Sequence, residues 1–439
     1  FQDQTNQALR EENRYTIGCT AGDWNQDGFD DVVVANIGFN YLLINNGDGT
    51  FRAQSLAGSD NLDRMPSSIA LGDLNGDQLP DLFEVNYIQD PEIAKTPNRD
   101  QQGNVLDPVG PGDFSPAADR IGLNDGKGGV NWQDVSDEAA DAYTGLGVVI
   151  ADFNGNGRND VFVGNDKQPN QFWVRDPSAD QWSEGAAAGG SAYSFRGGST
   201  ASMGIAAGDF DRSGTLDLHI TNFQNEPVCL YLNQGSYFQD RAAQYGLDQP
   251  SRSVLGFGSQ PIDYDNDGRL DLVVTNGHIE DSKTFSGEFR QPPQLFSNLG
   301  RKFELAEVVD PSGYWSAKHL GRALARLDFN QDGKNDFVVT HLGETTALLL
   351  NQTATDNHWL QLELVGVRSE RDAVGAKVTA TVGQRPLTEW VTGGDGYLCR
   401  NEAAISFGLG NATVVDRVTI QWPSGVEQTL ADVPCDQRL

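Results

Sequence analysis

Asp263-Tyr264-Asp265-Asn266-Asp267-Gly268-Arg269-Leu270-Asp271 puts carboxylates at positions 1, 3, 5 and 9 of a nine-residue loop, with glycine at position 6. A hard cation such as Ca²⁺ takes about six to eight oxygens, and short acidic side chains on a tight loop supply them. Glycine at position 6 permits the backbone angle that closes the loop. The run that follows, Leu270 to Thr275, is apolar and reads as a buried strand. The stretch before it is strand-like as well. No helical period flanks the loop and no glutamate stands at position 12, so it is not an EF-hand.

The cassette occurs six times. The other copies are Asp23, Asn25, Asp27 and Asp31; Asp73, Asn75, Asp77 and Asp81; Asp152, Asn154, Asn156 and Asp160; Asp209, Asp211, Ser213 and Asp217; and Asp328, Asn330, Asp332 and Asp336. With Asp263, Asp265, Asp267 and Asp271 these are the candidate ligands of up to six Ca²⁺ ions. In the second copy Gln78 holds position 6 and the glycine stands earlier, at Gly76, which weakens the reading of that loop. One such loop is as readily an Asx-rich turn. Six at the same place in a repeated unit argue for an ion.

The cassettes begin at residues 23, 73, 152, 209, 263 and 328. In each unit an apolar strand enters the cassette, a second leaves it, a third follows, and an Asn/Gly turn leads to a fourth. Four short strands in a unit of about fifty residues predict a β-propeller blade. The count gives an all-β propeller of six four-stranded blades over residues 1–355; a seventh would have to lack the cassette. Phe1-Gln2-Asp3 resembles the fourth strands Phe238-Gln239-Asp240 and Trp132-Gln133-Asp134, and the sixth unit has no clear fourth strand of its own. Residues 1–5 are therefore expected to complete the last blade. Extra chain at 88–118 and 277–291, the latter with His278, Glu280, Asp281, Phe285, Phe289 and Arg290, falls between second and third strands. That connection lies on the face opposite the cassettes, and loops on a rigid scaffold are where binding usually resides. A quieter repeat ends the second strands: Asn36, Asn86, Asn165, Asn222, Asn276 and His341. These residues either cap strand exits or form a polar ring at the channel mouth, where His341, His278 and His319 are a candidate transition-metal site.

From residue 356 the cassettes stop. Alternating segments at 358–364, 374–382, 404–408 and 415–422 predict a second, smaller all-β domain over 356–439, with turns at Gly393 to Gly396 and Pro423 to Gly425.

With 31 Lys and Arg against 62 Asp and Glu, the net charge is −31. That argues against nucleic-acid binding, which needs a basic footprint, and against adsorption to anionic lipid. Bound divalent ions would offset part of the charge, and without them the loops repel themselves. No apolar run has the length of a membrane span. The chain begins at Phe1 rather than Met, from which removal of an N-terminal segment is expected. Weak calcium loops suit a secreted, cell-surface or periplasmic setting. The four cysteines are too few for a disulfide scaffold. Cys399 and Cys435 share the C-terminal region and are a possible pair, whereas Cys19 and Cys229 read as buried free thiols in strands of distant repeats.

The cassette repeats resemble the FG-GAP/VCBS repeats of integrin-alpha-like propellers. The C-terminal stretches Arg371-Asp-Ala-Val-Gly-Ala-Lys-Val378, Gly394-Asp-Gly-Tyr-Leu398, Phe407-Gly-Leu-Gly410 and Trp422-Pro-Ser-Gly425 resemble the ASPIC/UnbV domain. Asn276-Gly-His-Ile279 and Gln291-Pro-Pro-Gln-Leu-Phe296 are similar to the same family. The pairing implies a secreted acidic protein of the cartilage acidic protein kind, a type common among bacteria. Against that pattern Cys399 replaces a serine and Cys435 is also atypical, and this joint departure implies a bond between them. The resemblance brings no catalytic motif. It leaves three readings open: a calcium-stabilised binding or adhesion module for an extracellular protein or glycan, an enzyme or carrier of natural-product type working at the channel mouth or interdomain cleft, and a self-assembling structural subunit. Glu280 and Asp281 with His278 are the acid/base candidates of the second reading.

Overall fold

The computed structural model describes residues 15–56, 58, 64–89, 99–102, 110–136, 141–176, 181–281 and 287–439. The expected closing strand at residues 1–5, Phe285, and parts of the 88–118 insertion lie outside them. Six antiparallel sheets follow one another along the chain, each ordered first to last strand outward from its inner edge. Blade 1 comprises Tyr15–Gly22, Asp31–Ile37, Tyr41–Asn45 and Phe51–Ser55, and blade 2 Arg64–Gly72, Asp81–Gln89, Arg120–Asn124 and Val130–Asp134. Blade 3 comprises Gly145–Ala151, Asp160–Asn165, Gln171–Asp176 and Gln181–Glu184, and blade 4 Ile205–Gly208, Asp217–Ile220, Cys229–Asn233 and Phe238–Asp240. Blade 5 comprises Gly256–Ile262, Asp271–Asn276, Gln294–Asn298 and Phe303–Leu305. Blade 6 has three strands among the described residues: Gly321–Leu327, Asp336–His341 and Ala347–Leu349. The protein is a β-propeller with a smaller C-terminal all-β part.

Second strands such as Asp160–Asn165 and Asp271–Asn276 are buried at every residue, because neighbouring blades cover both faces. Leu42, Ile69, Leu71 and Leu82 thus form one core shared by blades 1 and 2. Near the axis the inner strands crowd, and small residues answer the crowding. A Cβ on Gly18 would sit 2.6 Å from Ser67 O of the next blade.

The C-terminal part folds into two sheets. One contains Ile405–Gly410, His358–Leu362 and Gln437–Arg438; the other contains Arg385–Trp390, Lys377–Val382, Val414–Gln421 and Glu427–Pro434. Val374, Val378, Leu360 and Phe407 join Ala70, Phe83, Val148 and Ile150 of blades 2 and 3 in one continuous apolar core. This cap covers the cassette face of the ring.

Where the sequence predicts a turn at Gly393 to Gly396, the chain instead enters the propeller axis. Gly393 and Gly394 add a short strand to the inner edge of blade 3, opposite Ile150 and Val149. Gly396 exchanges both backbone hydrogen bonds with Ile205 of blade 4. Asn401 Nδ2 donates to Gln260 Oε1 of blade 5 at 2.8 Å, and Asn401 Oδ1 accepts from Arg326 N of blade 6 at 2.8 Å. Arg400 reaches Ala21 O of blade 1. The glycines are there for close approach: a Cβ on Gly393 or Gly394 would run into Leu71 O or Val148 O. Tyr397, at the tip, packs on Phe257 with ring centroids 5.1 Å apart and joins Met203 and Leu255 near the far mouth. The finger occupies the channel whose mouth is one of the two places, with the interdomain cleft, where the enzyme-or-carrier reading puts its chemistry.

All four cysteines are free. Cys399 Sγ donates to Leu324 O inside the ring, while Cys435 lies beside Asp436 at the cap edge, so the expected pair is not formed. Cys229 is buried as expected, but Cys19 is exposed on the inner strand of blade 1.

Candidate metal centres

Each cassette connects first and second strands, and each folds around its position-1 carboxylate. In loop 5, Asp263 accepts from the N–H of Asp267 at 2.9 Å and of Gly268 at 2.7 Å. The same fork holds Asp23, Asp152, Asp209 and Asp328 to the N–H groups at positions 5 and 6 of their loops. The position-5 side chain accepts from position 7, as Asp27 does from Phe29 and Asp77 from Leu79. Positions 4 and 6 are left-handed throughout: Gln26, Arg212, Asn266 and Gln331 have φ of 58–60° at position 4, and Gly28, Gly157, Gly214, Gly268 and Gly333 have φ of 80–96° at position 6. Loop 2 keeps this backbone although its glycine is displaced. Gly76 takes φ 84° at position 4 and Gln78 is forced to φ 75° at position 6.

The position-9 aspartate faces both ways. Asp271 Oδ2 accepts from Tyr264 N at 3.4 Å and Oδ1 from Asn298 N, at the end of the third strand, at 2.6 Å. Asp31, Asp81, Asp160, Asp217 and Asp336 make the corresponding bond to the N–H of Asn45, Asn124, Arg175, Asn233 and Asn351. The side chains of these third-strand residues then cross to the preceding blade. Asn124 reaches Trp24 O, Arg175 Leu74 O, Asn233 Phe153 O, Asn298 Phe210 O and Asn351 Tyr264 O, always the position-2 carbonyl of the loop before. Sequence reasoning noticed the Asn/Gly turn but missed this role. The signal was the asparagine that recurs just ahead of the turn.

The loops differ in charge. In loops 1, 2 and 6 an asparagine at position 3 donates to the position-5 carboxylate, as Asn25 does to Asp27 at 2.9 Å. In loop 3 Asn154 donates to Asp160 at 2.9 Å. Loops 4 and 5 carry aspartate at position 3 instead. In those two, oxygens of Asp209, Asp211 and Asp217, and of Asp263, Asp265 and Asp267, lie within 4.8 Å of one another. Burial pushes these acids toward the protonated form: Asp31 and Asp209 up to about 6, Asp81 to about 7, and Asp160, Asp263 and Asp271 to about 8. Withdrawal from water is the largest cause in each; neighbouring carboxylates add to it, and hydrogen bonds from backbone N–H groups oppose it. Convergent, desolvated carboxylates on loops held by backbone N–H groups are a donor set that fits a hard cation.

The cap touches every loop. Arg371 Nε meets Asp23 Oδ2 at 2.9 Å, Gln361 Nε2 donates to Asp328 Oδ2 at 2.9 Å, and Lys377 Nζ donates to Gly214 O at 2.7 Å. Asn159 Nδ2 bridges Asp73 O and Val374 O between loops 2 and 3 and the cap. Gly410 N donates to Asn266 O of loop 5 at 2.9 Å.

On the opposite face the repeated amides are strand caps, not a ring aimed at a ligand. Asn36, Asn86, Asn165, Asn222 and Asn276 are buried, and each donates to a carbonyl of its own second-to-third connection. His319 and His341 do come together, with ring centroids 5.2 Å apart. Tyr314 stacks on His319 and its OH lies 2.9 Å from His341 Nε2, and Glu344 Oε2 lies 3.0 Å from His319 Nδ1. His278 packs on Phe223 instead, its Nδ1 accepting from Glu280 N. The three histidines do not form one site.

The repeat geometry has a counterpart in known proteins. The FG-GAP-like repeat family matches residues 23–84, 152–220 and 209–274, and the ASPIC and UnbV family matches residues 366–439. The chain is an FG-GAP-repeat protein with a C-terminal ASPIC/UnbV region. It is homologous to cartilage acidic protein 1: 26% identical to that of Mus musculus over 366 residues, covering 67% of this chain and 55% of the relative. To that of Homo sapiens it is 28% identical over 307 residues, covering 67% and 43%. The FG-GAP/ASPIC–UnbV chain thus spans about half the length of these curated relatives. Among solved structures, an Agrocybe aegerita lectin described as recognising non-reducing terminal N-acetylglucosamine matches at TM-score 0.43 and 16% identity, covering 77% of this chain and 80% of the lectin. The Dos1 propeller matches at TM-score 0.39 and 11% identity, covering 91% of this chain and 95% of its own. No described helix is long and apolar enough to cross a membrane.

Proposed function

We propose that this is a secreted binding or adhesion module, a propeller stabilised by Ca²⁺ in its six cassettes, which meets an extracellular protein or glycan on the face opposite the cap. The observation that carries this reading is the cap's contact with every cassette loop, which leaves the other face as the broad surface open to a partner. Phe39, Tyr193, Phe195, Ile279 and Leu342 stand exposed on the connections of that face. Aromatic side chains on loops of a rigid ring offer contact area at low entropic cost. The ions would hold the loops, and through them the ring edge and the cap, while recognition falls to the far side. Loop 5, which has the most carboxylates (Asp263, Asp265, Asp267 and Asp271), is the expected strongest site.

The test is a screen on glycan and extracellular-matrix protein arrays with calcium and with chelator, repeated with a Tyr193→Ser/Phe195→Ser variant. Calcium-dependent binding that weakens at least tenfold in the variant supports the proposal. Binding that ignores both changes, or none on any array, contradicts it.

A further inference from the structure

The edge of the cap carries a donor set unlike the aspartate loops. His358 opens the strand His358–Leu362, and Cys435 and Asp436 lie between Glu427–Pro434 and Gln437–Arg438. Successive residues of an extended chain point to opposite sides. Asp436 departs from that rule with φ 57°, and the left-handed kink brings its side chain round beside Cys435, whose Sγ is 3.3 Å from Asp436 Oδ2.

The backbone around this kink is pinned. Asp436 N–H donates to Trp359 O at 2.7 Å, Trp359 N–H donates to Asp436 Oδ1 at 3.3 Å, and Cys435 N–H donates to Thr413 O at 3.2 Å. With Oδ1 turned to Trp359, Oδ2 faces His358 Nδ1 at 2.7 Å. One imidazole nitrogen, one sulfur and one carboxylate oxygen therefore lie within 4.8 Å of one another. The side chains of His358 and Asp436 are 29% and 47% exposed, so an ion has a path in from solvent.

We propose that His358, Cys435 and Asp436 bind a borderline transition-metal ion, Zn²⁺ foremost, with a fourth position open to water or to a side chain of a partner. The chemistry selects the class of ion. Sulfur and imidazole nitrogen are poor donors for Ca²⁺ and good ones for Zn²⁺. Metal–ligand bonds of about 2.0–2.3 Å in a tetrahedron put the donor atoms roughly 3.3–3.8 Å apart. The sulfur–oxygen separation already meets this, and the imidazole–carboxylate pair needs to open by only about 1 Å. On binding, the Cys435 thiol releases its proton to solvent and the sulfur binds as thiolate, while His358 binds neutral through Nδ1. The site uses no cassette residue and stands or falls independently of the calcium reading.

The full chain, held in excess Ca²⁺ so that the loops are occupied, is titrated with Co²⁺. One equivalent should produce a thiolate-to-cobalt charge-transfer band, and Zn²⁺ should abolish it by displacement. Cys435→Ser should remove the band and weaken Zn²⁺ binding at least tenfold with an unchanged melting curve. Asp436→Asn and His358→Gln should each weaken the binding, and Cys19→Ser should leave it intact. No thiolate band in tenfold excess Co²⁺, or a band that survives Cys435→Ser, overturns the assignment.

Discussion

Two positions in each cassette demand a left-handed backbone, and only one of them is usually glycine. A non-glycine residue in that region costs about 1–2 kcal/mol. Loop 2 bears that cost at position 6, at Gln78, where the other five loops do not. Gln78→Gly should therefore stabilise the chain, by about 0.5–1 kcal/mol once the added freedom of the unfolded state is subtracted, as measured by denaturant unfolding. The reverse change, Gly268→Ala, meets both the backbone penalty and Gly408 O at 2.8 Å from the new Cβ, and should destabilise by at least about 1–2 kcal/mol. Asp31, Asp81, Asp160, Asp263 and Asp271 have folded pKa values of about 6 to 8 without an ion, well above the unfolded value near 3.9. The ion-free folded chain thus holds more protons than the unfolded one. Its stability should be greatest below about pH 4 with respect to these groups, and should fall as the pH rises through 6 to 8. A bound cation replaces those protons, so melting temperatures with and without calcium should diverge as the pH rises over that window.

At the scale of the element, the blade was legible and its joint was not. Strand, cassette, strand is a local pattern: short apolar runs and a fixed loop chemistry write it into consecutive residues, and in all six copies a first and a second strand flank the cassette. The link between blades depends on Asn124, Asn233, Asn298 and Asn351 reaching a carbonyl 80–100 residues away, and no local period announces that. The recurring asparagine looked like turn chemistry because it does begin the turn: Asn298 Oδ1 also accepts from Gly300 N. Asn298→Ala would strand two buried carbonyls, of Phe210 and Leu270, in neighbouring blades. The expected cost is about 2–3 kcal/mol, read from denaturant unfolding in saturating calcium, against about 1 kcal/mol or less for an exposed asparagine.

At the scale of the whole molecule, cap and ring are one construction. The glycine run at 393–396 read as a turn because Gly and Asp are turn residues; its use as a finger in the axis depends on six strands that meet only in the folded ring. Nor does composition reveal that Val374 and Phe407 complete a core begun by Phe83 and Ile150. Gly394→Val would drive a branched side chain into Val148 O, and should expel the finger, exposing residues 391–402 to limited proteolysis and lowering stability by about 3 kcal/mol or more. The cassettes lie between the two parts, so their occupancy bears on both. The most direct test is thermal unfolding of the full chain at pH 8 and pH 5, with excess calcium and after exhaustive chelation, alongside elemental analysis of bound calcium. Up to six ions per chain and a chelation-induced drop in melting temperature that is larger at pH 8 than at pH 5 are predicted. A chain that retains no calcium, or melts at the same temperature with and without it at pH 8, would contradict the account.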